Sequence, residues 1–181
     1  MKERQILNQQ DIDITIERLC QQLIERHNDF NNTVIVGVQP RGTFLCNRII
    51  TKLKQLLKTP NIESGNLDIS FYRDDLRRRE EPIVPQVMDM NLSLEGKNVV
   101  LIDDVLFTGR SIRSAIDALM AFGRPKSVEL LTLIDRRFSR DLPIQPDYVG
   151  RTIDTIESEK VIVEWKETNG TDRILMRKSE Q

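Results

Sequence analysis

The segment Val99–Ser111, VVLIDDVLFTGRS, constrains the fold more than any other part of the chain. Val99–Ile102 is wholly apolar, which predicts a buried strand. Asp103 and Asp104 follow directly, and two adjacent carboxylates cannot lie in a dry sheet without partners. Thr108–Ser111 then enters a stretch with apolar residues at helical spacing. The segment therefore predicts a strand, a glycine-containing loop and a helix whose N-terminus is suited to binding an anion.

Helical and strand patterns alternate along the rest of the chain. The helical patterns are Ile12–Ile24 with Asn8 as N-cap, Phe44–Leu57, and Ile112–Phe122 with Gly123 as the stop. The strand patterns are Thr33–Val38, Leu67–Tyr72, Val99–Ile102 and Val128–Ile134, and Asn169-Gly170 lies between the two strands of a C-terminal hairpin, Val161–Trp165 and Ile174–Met176. Strands separated by helices predict an α/β fold with a central, mostly parallel sheet flanked by helices, in a single domain covering residues 1–181.

Composition excludes several classes of protein. The 181 residues are 39% hydrophobic and 30% charged, as in ordinary globular proteins. Apolar runs are too short to cross a bilayer and MKERQILNQQ lacks the apolar core of a secretory signal, so we expect a cytoplasmic protein without membrane contact. Cys20 and Cys46 are expected to be reduced core residues, and the single His27 argues against a zinc site. A net charge of −1 gives no overall attraction to nucleic acid but leaves a local basic face open.

Ligands of parallel α/β sheets bind beyond the carboxyl ends of the strands. Three strand ends carry suitable chemistry: QPRG at residues 39–42, RDDLRRREE at residues 73–81 and the diacid loop of Val99–Ser111. Two neighbouring acids are often only turn or capping residues. Here, however, a Thr/Gly/Ser loop follows them, so one loop offers a phosphate cradle at one end and a diacid at the other. That combination suits a sugar phosphate.

The diacid segment resembles the PRPP (5-phosphoribosyl-1-pyrophosphate) signature of type I phosphoribosyltransferases. The resemblance implies that fold, with a small hood formed by roughly residues 136–181. It implies that Thr108, Gly109, Arg110 and Ser111 hold the 5′-phosphate, with Val105, Leu106 and Phe107 as further PRPP-binding residues. It also implies that Asp103 and Asp104 are catalytic and bind the ribose hydroxyls, directly or through Mg²⁺.

The other two strand ends fit the same family. The resemblance implies that the loop containing Pro40, Arg41 and Gly42 contacts pyrophosphate, with Arg41 counted among the catalytic residues. The charged stretch after the second strand predicts a mobile lid over roughly residues 72–86, beginning with Tyr72, Arg73, Asp74 and Asp75. Arg73 or the run Arg77–Arg79 would reach pyrophosphate when the lid closes. The alternative is an ordinary solvated loop.

Four blocks narrow the resemblance to the PyrR family: YRDDL, DDVLFTGRS, DRRFSRDLPIQPDYVGRTI and SEKVIVEW, within Gln10–Trp165. The resemblance implies a uracil phosphoribosyltransferase that converts uracil and PRPP to UMP and diphosphate. Hypoxanthine-guanine enzymes carry an acid where Phe107 stands, which argues against a purine. Asp135, Arg136 and Val161 are the implied uracil-binding residues. The alternatives are transfer to hypoxanthine or guanine, or a PRPP- and UMP-sensing regulator with little catalysis.

Regulation through RNA is the second hypothesis. The resemblance implies binding of a pyrimidine-operon leader RNA through a basic face, for which Arg18, Arg26 and Arg151 are the candidates. His27 and Arg140 add to that face, whereas acidic and amide side chains dilute it. The resemblance also implies a homodimer or homotetramer.

Overall fold

The computed structural model describes residues 3–58, 61–74, 92–156 and 158–178. In chain order the elements are β1 (Glu3–Leu7), α1 (Gln9–His27), β2 (Thr33–Val38), α2 (Gly42–Leu57), β3 (Glu63–Leu67), β4 (Asn98–Leu106), α3 (Arg110–Leu119), β5 (Ser127–Arg137), β6 (Tyr148–Asp154), β7 (Glu159–Glu164), α4 (Lys166–Asn169) and β8 (Arg173–Lys178). Short 3-10 turns follow β3 and α3, at Ser70–Tyr72 and Met120–Phe122.

Two sheets organise the described ranges. The larger has five parallel strands in the order β3-β2-β4-β5-β6. The smaller is antiparallel, in the order β1-β8-β7, and contains the C-terminal hairpin. The prediction of an α/β fold built on a mostly parallel sheet is thereby confirmed. Because β4 lies between β2 and β5, its diacid is at the centre of the sheet's carboxyl edge.

Helices cover both faces of the parallel sheet. On one face, α1 and α2 pack on alternate strand residues that include Val100 and Ile102 of β4. On the other, α3 packs on the intervening residues, including Val99 and Leu101. This alternation follows from the two-residue period of a strand. Both faces of β4 are buried, which explains its continuous apolar run.

Two sequence predictions are confirmed at the level of single residues. Asn8 caps α1: its Oδ1 accepts the Asp11 N–H at 2.9 Å, and the Asp11 carboxylate accepts the Asn8 N–H at 3.0 Å. Cys20 and Cys46 are unpaired and buried. Burial raises the pKa of both thiols to about 12, so neither is a nucleophile at neutral pH.

Other boundaries differ from the predictions. The pattern Leu67–Tyr72 is not a strand: β3 ends at Leu67 and a 3-10 turn follows, because the Asp68 carboxylate accepts the Ser70 N–H at 2.8 Å. Asn169-Gly170 is not a two-residue turn, since α4 occupies most of the connection and Gly170 ends it with φ 74°. The strands β1 and β6 were not predicted; their exposed and half-buried residues obscure the strand period.

No helix within the described ranges is both long enough and apolar enough to span a membrane.

Replacing the cap residue of α1 tests the fold directly. Asn8→Ala removes one half of the reciprocal pair with Asp11 and leaves the first-turn N–H groups without a side-chain acceptor. We expect the free energy of unfolding, measured by urea titration, to fall by about 1 kcal/mol. Gln9→Ala is the matched control, because Gln9 is exposed on the first turn; its effect should stay within about 0.5 kcal/mol. Equal stability of the two variants would show that the cap contributes nothing.

Candidate active site

The loop after β2 brings Arg41 to the diacid. β2 and β4 are neighbours, so the loop at residues 39–41 lies beside the carboxyl end of β4. Arg41 Nε donates to Asp104 Oδ2 at 3.0 Å, and its Nη2 donates to the carbonyl of Val163 in β7. The Arg41 side chain is 49% exposed, whereas that of Asp104 is 8% exposed. Arg41 therefore covers a buried carboxylate while its own outer edge faces solvent.

Gly42 is required for this approach. A Cβ at Gly42 would lie 2.5 Å from the backbone oxygen of Ile102 and 3.1 Å from the Cα of Asp103. Any larger residue would push the N-terminus of α2 away from β4. Gly42 thus allows the close contact between the loop and β4.

The two carboxylates have different surroundings. Asp103 Oδ1 accepts the backbone N–H of Asp104 at 2.9 Å. Burial raises the pKa of Asp103 well above its usual value, and the neighbouring Asp104 raises it further. Burial also raises the pKa of Asp104, against the opposing effect of Arg41. The charges of Arg41 and Arg73 favour the ionised form of Asp103 but do not offset its desolvation, so the pair calls for further hydroxyl donors or a cation.

The loop predicted to hold a phosphate lies at the start of α3. Gly109 has φ 90°, which an L side chain rarely adopts, and it directly precedes the helix. Residues 108–111 border a cavity of about 240 Å³ together with Asp103, Arg73 and Asp74. Hydroxyls of Thr108 and Ser111 and the N-terminal N–H groups of α3 are available there. The diacid and the loop thus meet in one cavity.

The Arg110 side chain connects the rim of this cavity to two other segments. Nη1 donates to Asp74 at 2.6 Å and Nε donates to Asp141 at 2.9 Å. Of the predicted lid residues, Tyr72 ends the 3-10 turn, and Arg73 and Asp74 line this cavity. Asp75, the Arg77–Arg79 run and the rest of the predicted lid lie outside the described residues.

A second, larger cavity of about 690 Å³ adjoins the first. Phe107 and Thr108 line both cavities and so form their common wall. The remaining lining residues come from the loop after β5 and from the start of the hairpin: Phe138, Ser139, Arg140, Asp141, Asp154, Thr155, Ile156 and Glu159. This arrangement places the larger cavity directly beside the loop at the start of α3.

Three findings from comparison with known proteins decide the family. The phosphoribosyl transferase domain model matches residues 3–168. The bifunctional protein PyrR of Enterococcus faecalis is 40% identical over 181 residues, covering all of both chains. PyrR of Bacillus subtilis is 38% identical over 178 residues, covering 97% of each chain. This chain belongs to the PyrR family.

Solved structures support the fold of this PyrR-family chain. A hypoxanthine phosphoribosyltransferase of Trypanosoma cruzi superimposes with a TM-score of 0.73 at 17% identity, covering 98% of this chain and 97% of its own. One of Staphylococcus aureus gives a TM-score of 0.71 at 21% identity, covering 98% and 92%. The expected type I phosphoribosyltransferase fold is confirmed, with the antiparallel β1-β8-β7 sheet as the main part of the hood.

The residues predicted to bind uracil lie behind the wall of the larger cavity. Arg136 is 5% exposed; its guanidinium carbon lies 3.8 Å from the centre of the Phe107 ring, and it donates to Thr155 Oγ1 at 2.9 Å. Asp135 pairs with Arg140. Val161 packs against the main core. Arg136 therefore acts on the cavity through the Phe107 ring that it supports.

Sequence reasoning missed two apolar residues of this cavity, Phe138 and Ile156, which are 84% and 58% exposed. Phe138 also has φ 64°, an uncommon backbone conformation for a residue with a side chain. The available signal was the aromatic Phe138 inside the charged run Asp135–Arg140. An exposed aromatic ring held in strained backbone is typical of a functional position.

The structure brings together only some of the arginines that were predicted to contact RNA. Arg18 of α1 donates to the carbonyls of Val149 and Gly150 in β6, which brings it next to Arg151. Arg26 pairs with Glu129 at 3.5 Å. His27 and Arg140, which add to the predicted basic face, are unsuited to contacting RNA. The His27 side chain is buried against Glu129, and Arg140 donates to backbone carbonyls inside the hood.

Protein ligands alone do not form a cation site in the described ranges, where no three His, Cys, Asp or Glu side chains converge. The diacid supplies carboxylate oxygens, however, and Mg²⁺ commonly binds through one or two carboxylates together with substrate phosphates. The excess negative charge of the pair is consistent with that use.

Gly109 offers a test of the cradle. Gly109→Ala forces φ 90° on an alanine and places its Cβ 3.3 Å from Ile144. We expect a loss of about 1 kcal/mol of stability and a large loss of PRPP affinity by calorimetry. Gly96→Ala is the matched control, since Gly96 has φ 69° but open space around it. It should lose similar stability and keep PRPP affinity; parallel loss in both variants would contradict a specific role for Gly109.

Proposed function

We propose that this chain transfers the phosphoribosyl group of PRPP to uracil, with UMP and diphosphate as products. The observation that carries the proposal is the pair of half-buried Asp103 and buried Asp104, with Arg41 on one side and the Gly109 loop on the other. In a PyrR-family chain this arrangement offers binding groups for both the 5′-phosphate and the diphosphate of PRPP. The relatives' name, bifunctional protein, is consistent with an enzyme that has a second role.

We place the parts of the two substrates in the two cavities. The 5′-phosphate occupies the smaller cavity, against the hydroxyls of Thr108 and Ser111 and the N-terminus of α3. Diphosphate lies on the side of Arg41, whose exposed edge offers N–H donors suited to phosphate oxygens. The base occupies the larger cavity across the Phe107–Thr108 wall. Ribose then bridges the two, above Asp103.

The diacid performs the central step. Asp103 and Asp104 orient the ribose hydroxyls, and their negative charge stabilises the positive charge that develops on ribose as the C1–O bond breaks. Mg²⁺, when bound, neutralises the leaving diphosphate. Arg41 holds Asp104 in place and contacts diphosphate. The described residues nominate no side chain as the general base for N1 of uracil.

Phe107 is the reason for proposing a pyrimidine. An apolar ring at this position gives a stacking surface, and its rear face is fixed by the buried Arg136 guanidinium at 3.8 Å. A carboxylate there would instead accept a hydrogen bond from a purine. Transfer to hypoxanthine or guanine is the alternative.

The decisive measurement is diphosphate release with PRPP, Mg²⁺ and each of uracil, hypoxanthine and guanine. We expect turnover with uracil, and a fall of about 100-fold or more when Asp103 and Asp104 are both changed to Asn. Asp117→Asn, at an exposed acid of α3, is the charge-matched control and should keep full activity. Turnover with a purine and none with uracil would contradict uracil as the acceptor base. Full activity of the Asp103→Asn/Asp104→Asn variant would contradict the catalytic role of the diacid.

A second role, UMP-dependent RNA binding, is supported by the surface that Arg18 and Arg151 share. Hydrogen bonds to carbonyl oxygens leave the charge of both guanidiniums uncompensated, so they remain able to attract phosphates. Arg26, 70% exposed at its side chain, lies on the same helix as Arg18. A homodimer or homotetramer and a cytoplasmic location belong to the same proposal and stay predictions.

A gel shift with a pyrimidine-operon leader RNA, with and without UMP, tests this second role. Arg18→Gln and Arg151→Gln should each weaken the complex and reduce its salt dependence by about one counterion. Arg124→Gln removes an exposed arginine from another surface and should leave the shift unchanged. Absence of any shift at low salt would contradict the role for that RNA. A UMP-dependent shift without uracil turnover would favour a sensing regulator with little catalysis.

A further inference from the structure

The hood loop, residues 138–144, holds the backbone of the phosphate loop from behind. Three successive carbonyls at the start of the phosphate loop accept hydrogen bonds from the hood loop. Arg140 Nη1 donates to the carbonyls of Leu106, at 3.4 Å, and of Phe107. The Thr108 carbonyl accepts the N–H groups of Asp141 at 3.0 Å and of Leu142 at 3.2 Å.

Arg140 is the centre of this contact. The same guanidinium donates to the carbonyls of Ile144 at 2.9 Å and Arg136 at 3.1 Å, and it pairs with the Asp135 carboxylate. Its side chain is 22% exposed. One side chain thus joins the end of β4, the end of β5 and the hood loop. Only arginine, with five N–H donors in a planar fork, satisfies so many acceptors at once.

The direction of these carbonyls matters for phosphate binding. An anion at the start of a helix is bound by backbone N–H groups that all point toward it. The N–H groups of the loop can converge on the cavity only when its carbonyls point elsewhere, since each oxygen would repel the anion. Arg140 and the N–H groups of Asp141 and Leu142 keep the carbonyls of residues 106–108 turned toward the hood.

We propose that Arg140 is a positioning residue for PRPP: it sets the phosphate loop in its anion-binding conformation without touching the phosphate. It does not line the smaller cavity, and it meets that cavity only through the backbone of Leu106 and Phe107. The proposal rests on the proposed function, because it assumes that the loop holds the 5′-phosphate. It also gives Arg140 a use inside the enzyme in place of RNA binding.

Two probes without a base separate this role from general destabilisation. Ribose 5-phosphate reports the phosphate loop and magnesium diphosphate reports the Arg41 side; both are titrated by calorimetry into folded protein. Arg140→Gln should weaken ribose 5-phosphate binding about tenfold or more and leave diphosphate binding unchanged. In steady state with uracil, KM for PRPP should rise more than kcat falls.

The Arg140→Lys variant separates the effect of the several N–H donors of arginine from the effect of its positive charge. It also provides the test if Arg140→Gln does not fold. Lysine keeps the charge but reaches few of the acceptors, so its ribose 5-phosphate affinity should also fall. Wild-type affinity in Arg140→Lys would mean that charge alone acts, which overturns the proposal. Arg113→Gln, which removes an exposed arginine of α3, is the control and should bind both probes normally.

Other outcomes are equally clear. Equal weakening of both probes in Arg140→Gln would assign Arg140 a general structural role and overturn the proposal, as would unchanged binding of ribose 5-phosphate. A wild-type protein that binds both probes but shows no turnover with uracil would contradict the proposed function alone. A wild-type protein that binds neither probe would overturn both.

Discussion

The desolvation of two adjacent carboxylates at the end of β4, with Asp104 buried and Asp103 half-buried, is the constraint on which the rest of the site depends. Withdrawing these acids from water is costly, and the fold keeps the cost tolerable with backbone donors, an ion pair to Arg41 and the nearby charge of Arg73. Arg41 reaches Asp104 only because α2 begins so close to β4, and Gly42 is the residue that allows the contact. A requirement for charge compensation therefore determines where a helix starts.

The same strand separates the tasks of the two acids. Side chains alternate along β4, so Asp103 borders the smaller cavity while Asp104 pairs with Arg41. β4 continues beyond the acids to Leu106, which carries Phe107 to the boundary between the two cavities. One segment of chain thus borders both cavities and carries the residues of the proposed ribose, phosphate and base subsites.

The fold and the positions of the diacid and the Gly109 loop were accessible from sequence because their signals are local. β2 occupies the predicted Thr33–Val38, Asn8 is the cap, and the diacid and Gly109 lie where their pattern indicates. The internal contacts of the hood were not accessible, because they join distant segments. Nothing near Arg140 in sequence shows that its guanidinium meets the carbonyls of Leu106 and Phe107.

The hood combines a rigid part and an open part within a few residues. Arg140 is held by five hydrogen-bonding partners, whereas Phe138, two residues earlier, is 84% exposed in left-handed backbone. Exposing an aromatic ring in such a conformation lowers stability on both counts. The fixed contacts of Arg140 and Leu142 are what allow the loop to keep Phe138 at the rim of the larger cavity. A ring placed there can cover a bound base without disturbing the phosphate loop, because the two tasks belong to different residues of the same loop.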